Sequence, residues 1–140
     1  VSTIPFAYQV RIGYPEVDRM GFLHHSRHLV HMESARIELL RTTGVSYLQW
    51  EDRGYLIPVT QVHVDYGSPA RFDDVLQVAV TLKELTRLRM TFGYEITCPE
   101  RSAEIARGSS SHVFMNPGGR PVRLAPDLLA LLQPFLPEAN

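Results

Sequence analysis

Apolar and polar side chains alternate over residues 6–12, with Phe6, Tyr8, Val10 and Ile12 on one side and Ala7, Gln9 and Arg11 on the other. A period of two is the pattern of a half-buried strand. The rhythm stops at Gly13, and residues 13–27 mix polarity as a loop does. From about Arg27 to Thr43 the spacing becomes helical, with Ser26 placed as N-cap and Gly44 as C-cap. A short second helix is predicted over 45–53, broken at Gly54. The period then returns to two. Residues 56–66, 75–85, 88–98 and 103–115 alternate or carry β-branched and aromatic side chains, with turn-like segments between them. Asn116-Pro117-Gly118-Gly119 is a turn after the last strand, and a terminal helix is predicted from Leu124 to Phe135 with Pro126 near its first position.

Strand, long helix, four consecutive antiparallel strands and terminal helix predict one α+β domain over residues 1–140, its curved sheet wrapped around the long helix. A sheet of about five strands leaves edges that need a partner or other protection. Steps of about 100° per residue put Arg27, His31, Ser34, Glu38 and Arg41 on a polar face of the long helix. Leu29, Met32, Leu39 and Leu40 fall opposite, and Glu33 and Arg36 land among them. Charges on a core face are costly unless paired. The two are therefore either an i,i+3 ion pair with partners from the sheet or residues that line or brace a site.

Composition excludes several classes of function. Apolar residues make up 44% and charged residues 21% of the 140, the balance of a soluble globular protein. A formal net charge of −1 and the lack of a basic run give no field for nucleic acid. No stretch of about 18 apolar residues could span a membrane, and no signal-peptide pattern opens the sequence. Cys98 is the only cysteine, so no intrachain disulfide can form and a cytoplasmic location is expected.

The candidate chemistry lies in residues 14–36, YPEVDRMGFLHHSRHLVHMESAR. An aspartate is ionised at neutral pH and so is available as base or nucleophile. Held beside a helix N-terminus, Asp18 could attack a carbonyl whose developing oxyanion the helix amides stabilise. Asp before glycine is also the usual residue of an Asx turn. Gly21 serves either a close backbone approach to a ligand or a plain turn. His25 could orient the loop, bond a carbonyl, act with Asp18, or simply cap or pack. His24, His28 and His31 invite a metal, but His31 lies on the polar face and no third ligand is supplied locally, so none is expected.

These residues resemble the hot-dog-fold acyl-CoA thioesterases, in particular the 4-hydroxybenzoyl-CoA thioesterase-like branch. The resemblance rests on Tyr14, the Asp18-x-x-Gly21 pair, His25, Glu33-x-x-Arg36, the segment VHVDYGSPARFDD at 62–74 and the tail NPGGRPVRLAPDL at 116–128. It covers nearly the whole chain. The resemblance implies a hot-dog fold and hydrolysis of an acyl-CoA to a free carboxylate and CoA. Asp18 would be base or nucleophile, His25 a second catalytic residue, and the helix-start amides would polarise the carbonyl. Tyr14, Gly21, Val59, Tyr66 and Arg71 would bind substrate, with Arg71, Arg87 and Arg89 suited to phosphates of CoA. No cofactor is implied, since CoA is part of the substrate.

The resemblance also implies a homodimer joined sheet edge to sheet edge, or a homotetramer, with the site between the helix start of one chain and strands of the next. Family members often carry an aromatic residue, His, a small residue, Asn and Tyr at the helix start. This chain has His24, His25, Ser26, Arg27 and His28 there, so the acyl specificity of relatives is not carried over. Alternative readings are a thioesterase acting on acyl carrier protein, a dehydratase of the same fold, and a non-catalytic acyl-CoA-binding protein.

Overall fold

In the computed structural model, which describes residues 6–137, a five-stranded antiparallel sheet curls around one long helix. The strands are β1 (Phe6–Arg11), β2 (Val59–Tyr66), β3 (Val75–Leu85), β4 (Arg89–Cys98) and β5 (Ala103–Val113). The helices are α1 (Arg27–Thr42), α2 (Tyr47–Asp52) and α3 (Pro126–Leu132). Alternation does what it predicts: Leu76, Val78, Val80 and Leu82 of β3 and Met90, Phe92 and Ile96 of β4 are all buried on the concave face. They pack with Met32, Ala35, Leu39 and Leu40 of α1 in one core. Each fully buried large side chain contributes roughly 1.5–3 kcal/mol.

The four strands predicted after the helices follow one another in the chain, but they are not neighbours in that order in the sheet, which runs β1-β3-β4-β5-β2. Only β3, β4 and β5 form a meander, because only they are joined by tight turns. After β2 the chain leaves the edge through residues 67–74 and re-enters between β1 and β4, while β2 pairs with β5, Val59 against His112. Gly108 makes this closure possible. A Cβ there would lie 2.5 Å from the His63 carbonyl oxygen and 3.0 Å from Met32 Cε.

Three local expectations also change. Leu56 lies outside β2, in an isolated bridge to Met115, so the strand starts at Val59. The C-cap of α1 is Thr43, and Gly44 follows it at φ 91°. Ser26 is already helical in conformation and caps nothing; its hydroxyl lies 2.9 Å from His24 Nδ1. The true capping box belongs to α2, where Ser46 and Gln49 bond reciprocally.

The predicted faces of α1 are rotated. His31, assigned to the polar face, is buried, while Leu29 is 38% exposed. The helix lies under a curved sheet that covers part of its polar side and leaves part of its apolar side open. Glu33 and Arg36 do not pair with each other or with another charged group among the described residues. No described helix is long and apolar enough to cross a membrane.

Candidate active site

Residues 17–23 fold into a tight reversal just before α1. The Asp18 amide donates to the Phe22 carbonyl at 2.7 Å, and Val17 and Leu23 form an antiparallel bridge. Gly21 closes the turn at φ 80°, with open space where a Cβ would stand, so its conformation rather than a close contact requires glycine. The half-buried Asp18 carboxylate is divided in use. Its Oδ1 accepts the amides of Met20 at 2.8 Å and Phe22 at 3.1 Å, while Oδ2 has no hydrogen-bond partner among the described residues.

The reversal is braced from two sides. Leu23 donates to the Ala70 carbonyl at 2.7 Å, and Phe22 bridges Arg71, which fixes the turn to residues 69–74. That segment is clamped in turn by Arg101, which donates to Asp74 at 2.6 Å and to the Pro69 carbonyl at 3.1 Å. Burial opposes the charge of Asp74, but the Arg101 bond and the Arg71 amide outweigh it and hold the carboxyl below its usual range. On the helix side, His31 Nε2 meets Glu16 Oε1 at 2.6 Å, and Glu16 Oε2 accepts the Gly13 amide at 2.7 Å. Nothing local in the sequence announces this buried pair, whose members lie on a loop and a helix.

His25 points outward, its ring 4.2 Å from that of His24, and its carbonyl accepts the Tyr66 hydroxyl at 2.6 Å. His28 is buried edge-on against the Tyr66 ring. Burial pushes its pKa down, with the neighbouring His31 and His25 acting in the same direction and the His25 carbonyl opposing them. Tyr14 is 74% exposed and stands edge-to-face with Phe72, and the Arg71 guanidinium is exposed. Among the described residues no three His, Cys, Asp or Glu side chains converge as metal ligands.

Asp18, Gly21, His25, Tyr66 and Arg71, with Tyr14 beside Phe72, therefore gather at the N-terminal end of α1. Val59 does not join them. It lies at the other end of β2, beside two adjoining clefts of about 230 and 320 Å³ that also share Glu33 and Arg36. From the Arg36 side a chain of polar groups enters the core. Arg36 Nη1 lies 3.5 Å from the Tyr94 hydroxyl, which is 2.6 Å from Ser110 Oγ, itself 2.8 Å from His112 Nε2. Tyr94, Ser110 and His112 are all buried. Burial, helped by the Arg36 charge, pushes the His112 pKa down to about 4, so the ring is neutral at pH 7.

A curled antiparallel sheet around one central helix, with an aspartate turn at the helix start, is the hot-dog architecture. The profile of the thioesterase-like superfamily matches residues 10–132, and the chain belongs to that family of thioester hydrolases. A crystal structure of a hypothetical protein from Aquifex aeolicus is similar at 30% identity and TM-score 0.86, over 91% of this chain and 99% of that one. The DHNA-CoA thioesterase from Staphylococcus aureus is similar at 26% identity and TM-score 0.86, over 91% and 87% of the two chains. The acyl-CoA thioester hydrolase YbgC of Escherichia coli is 26% identical over 73% of this chain and 76% of its own length.

Proposed function

We propose that the protein hydrolyses acyl-coenzyme A thioesters, with Asp18 as general base or nucleophile. The carrying observation is the divided carboxylate: Oδ1 is tied to two amides, and Oδ2 has no hydrogen-bond partner among the described residues, in the turn that leads into a helix whose N-cap residue Ser26 makes no side-chain capping bond. As a base, Asp18 takes a proton from water as the water oxygen bonds to the thioester carbon. The C–S bond then breaks, and the departing thiolate takes the proton back. As a nucleophile, Oδ2 bonds to the thioester carbon and the C–S bond breaks to release the thiolate. Water then cleaves the mixed anhydride to the free acid and the Asp18 carboxylate, its released proton balancing the thiolate. Either route builds an oxyanion that amides at the start of α1 would stabilise.

The exposed Arg71 guanidinium is suited to a phosphate of CoA. His25 supplies a side chain at the helix start, and its carbonyl holds Tyr66 against it. Strand β2 is open along its length, with Val59, Val62 and Tyr66 each 43–52% exposed, and it is an unpaired edge. A second copy pairing there about a two-fold axis would run antiparallel and cover it. The active species in this reading is a cytoplasmic homodimer or a tetramer built from it, with a site shared between chains. The buried, unbridged Cys98 suits a reducing compartment.

The rival is an acyl-CoA-binding protein without turnover, and the bonds of Oδ1 favour it, since they are those of an ordinary Asx turn. Thiol release measured across aromatic and short, medium and long aliphatic acyl-CoAs separates the two. The expected result is turnover of at least one class. Saturable binding with no thiol released from any class overturns the hydrolase reading.

A further inference from the structure

The two ends of β2 are far apart. Seven steps of about 3.3 Å separate Val59 from Tyr66 by roughly 23 Å. Tyr66 stands at the helix start with the Asp18 turn, and Val59 stands at the clefts lined by Glu33 and Arg36. If two copies pair antiparallel through β2, the Val59 end of one copy lies beside the Tyr66 end of the other. The clefts of one chain then face the aspartate turn of its partner, as the shared site of the proposed hydrolase requires.

Those clefts are not uniformly apolar. Leu29, Met32 and Val62 line one and Ile37, Tyr47 and Phe92 the other, yet both contain Arg36. Apart from its long contact with Tyr94, the Arg36 guanidinium has no partner among the described residues. It is a permanent cation with donors to spare on the wall of a half-open cleft whose other polar lining is Glu33 and, on one side, Ser109 and Ser110.

Arginine can only donate, so Tyr94 accepts from it, which leaves the Tyr94 hydroxyl proton available to Ser110. With the His112 proton on Nε2 the ring donates to Ser110 and Ser110 to Tyr94; in the other tautomer Ser110 donates to Nε2 and the proton sits on Nδ1. That atom has no bond of good geometry, and the Ile57 and Pro58 carbonyls are the acceptors nearest to it. An imidazolium could not accept from Ser110, so a chain directed toward His112 requires a neutral ring with its proton on Nδ1. Arg36 is thus backed by buried groups that hold an acceptor toward it and compete for only one of its donors.

We propose that Arg36 is a specificity-determining residue of the acyl pocket, held by the Tyr94–Ser110–His112 chain, and that it selects acyl groups carrying an oxygen acceptor at the end remote from the thioester. The proposal rests on the acyl-CoA reading above. A hydroxyl and a carboxylate share the required chemistry. Glu33, on the rim of both clefts, can accept from a hydroxyl and repels a carboxylate.

Equilibrium binding tests this without requiring turnover. The probes are coenzyme A thioethers with a methylene inserted between sulfur and carbonyl, matched in chain length and ending in methyl, hydroxyl or carboxylate. The wild-type protein should bind an oxygen-ended probe about tenfold or more tighter than the methyl-ended one, the scale of one charge-assisted hydrogen bond. Arg36→Gln should erase that preference. Tyr94→Phe, which removes only a hydroxyl, should reduce it and carries the test if Arg36→Gln fails to fold. A hydroxyl-ended probe bound best brings Glu33 into the contact, and a carboxylate-ended probe bound best leaves Arg36 alone in it.

Equal or tighter binding of the methyl-ended probe overturns the proposal, as does a preference that survives both substitutions. Failure of the hydrolase reading shows separately, as absence of thiol release from true thioesters.

Discussion

Asp18 lies in the turn before α1 and Arg36 in the second half of that helix, and the two are held in opposite ways. Around Asp18 the bonds run through carboxylates: its own turn closes within five residues, Glu16 reaches His31, and Arg101 clamps the neighbouring loop through Asp74. Around Arg36 the bonds are, beyond the arginine itself, neutral, linking α1 to β4 and β5 through Tyr94, Ser110 and His112. A reacting group needs a fixed place against one bond, which a rigid turn supplies. A group that reads the far end of a substrate needs to be presented in an apolar space, which requires support from inside the core.

The sharpest way to break the comparison is at the proposed reacting group. Asp18→Asn keeps the size and the accepting oxygen of the turn and loses charge and basicity. It should leave the fold intact and cut turnover a hundredfold or more, about 3 kcal/mol of barrier. Turnover within about threefold of wild type would remove Asp18 from the chemistry. If the site is shared, mixing Asp18→Asn chains with chains inactivated by Val59→Asp should restore activity in verified heterodimers, because one of the two sites then receives both intact halves.

On the Arg36 side, acid should act through His112. Its folded pKa, about 4, lies below the ordinary 6.5, so the unfolded chain binds the proton that the folded chain refuses. The stability it supports is therefore complete above about pH 6.5 and is lost as pH falls toward 4, an effect on the order of 3 kcal/mol. His28, also depressed, acts in the same direction. Denaturant unfolding at pH 7 and pH 4.5 should show the loss, and His112→Asn should flatten the difference. An unchanged slope in that variant would place the acid sensitivity elsewhere.

A smaller effect is expected from Glu16→Gln, which leaves His31 with a weaker partner and should cost about 1–3 kcal/mol of stability. The diagnostic readout is faster amide exchange in residues 13–24 than in β4. Uniform loosening of both would show that the brace is not local. The smallest effect expected is from metal removal: dialysis against a strong chelator should leave the rate unchanged, and restoration of a lost rate by one specific metal would bring the histidines of the helix start back into consideration.

The same contrast explains what could be read from the sequence. Strands β1, β3, β4 and β5 and helix α1 announce themselves by period, because each has one face in the core. The Asp18 turn is legible from aspartate and glycine in the right places. The place of β2 is not, since both its faces are exposed and its partner is chosen by the closure of the whole sheet. The helical wheel put His31 toward solvent because it carries no information about Glu16. It also offered Glu33 and Arg36 as a pair, whereas Arg36 turns to Tyr94, a tyrosine that reads in the strand as one more core residue.

The pairing of β2 also sets an order of events in folding. β2 leaves the ribosome ahead of every strand of the meander, but its hydrogen-bonding partner β5 is the last of them to be made, and Val59 must wait for His112. Contacts so distant in sequence close slowly. Throughout that interval the strand is a free template with both edges open, the condition in which nascent chains pair with the wrong neighbour. Nascent chains stalled before β5 should therefore be the aggregation-prone species in synthesis, and release of the β5 segment should end their vulnerability.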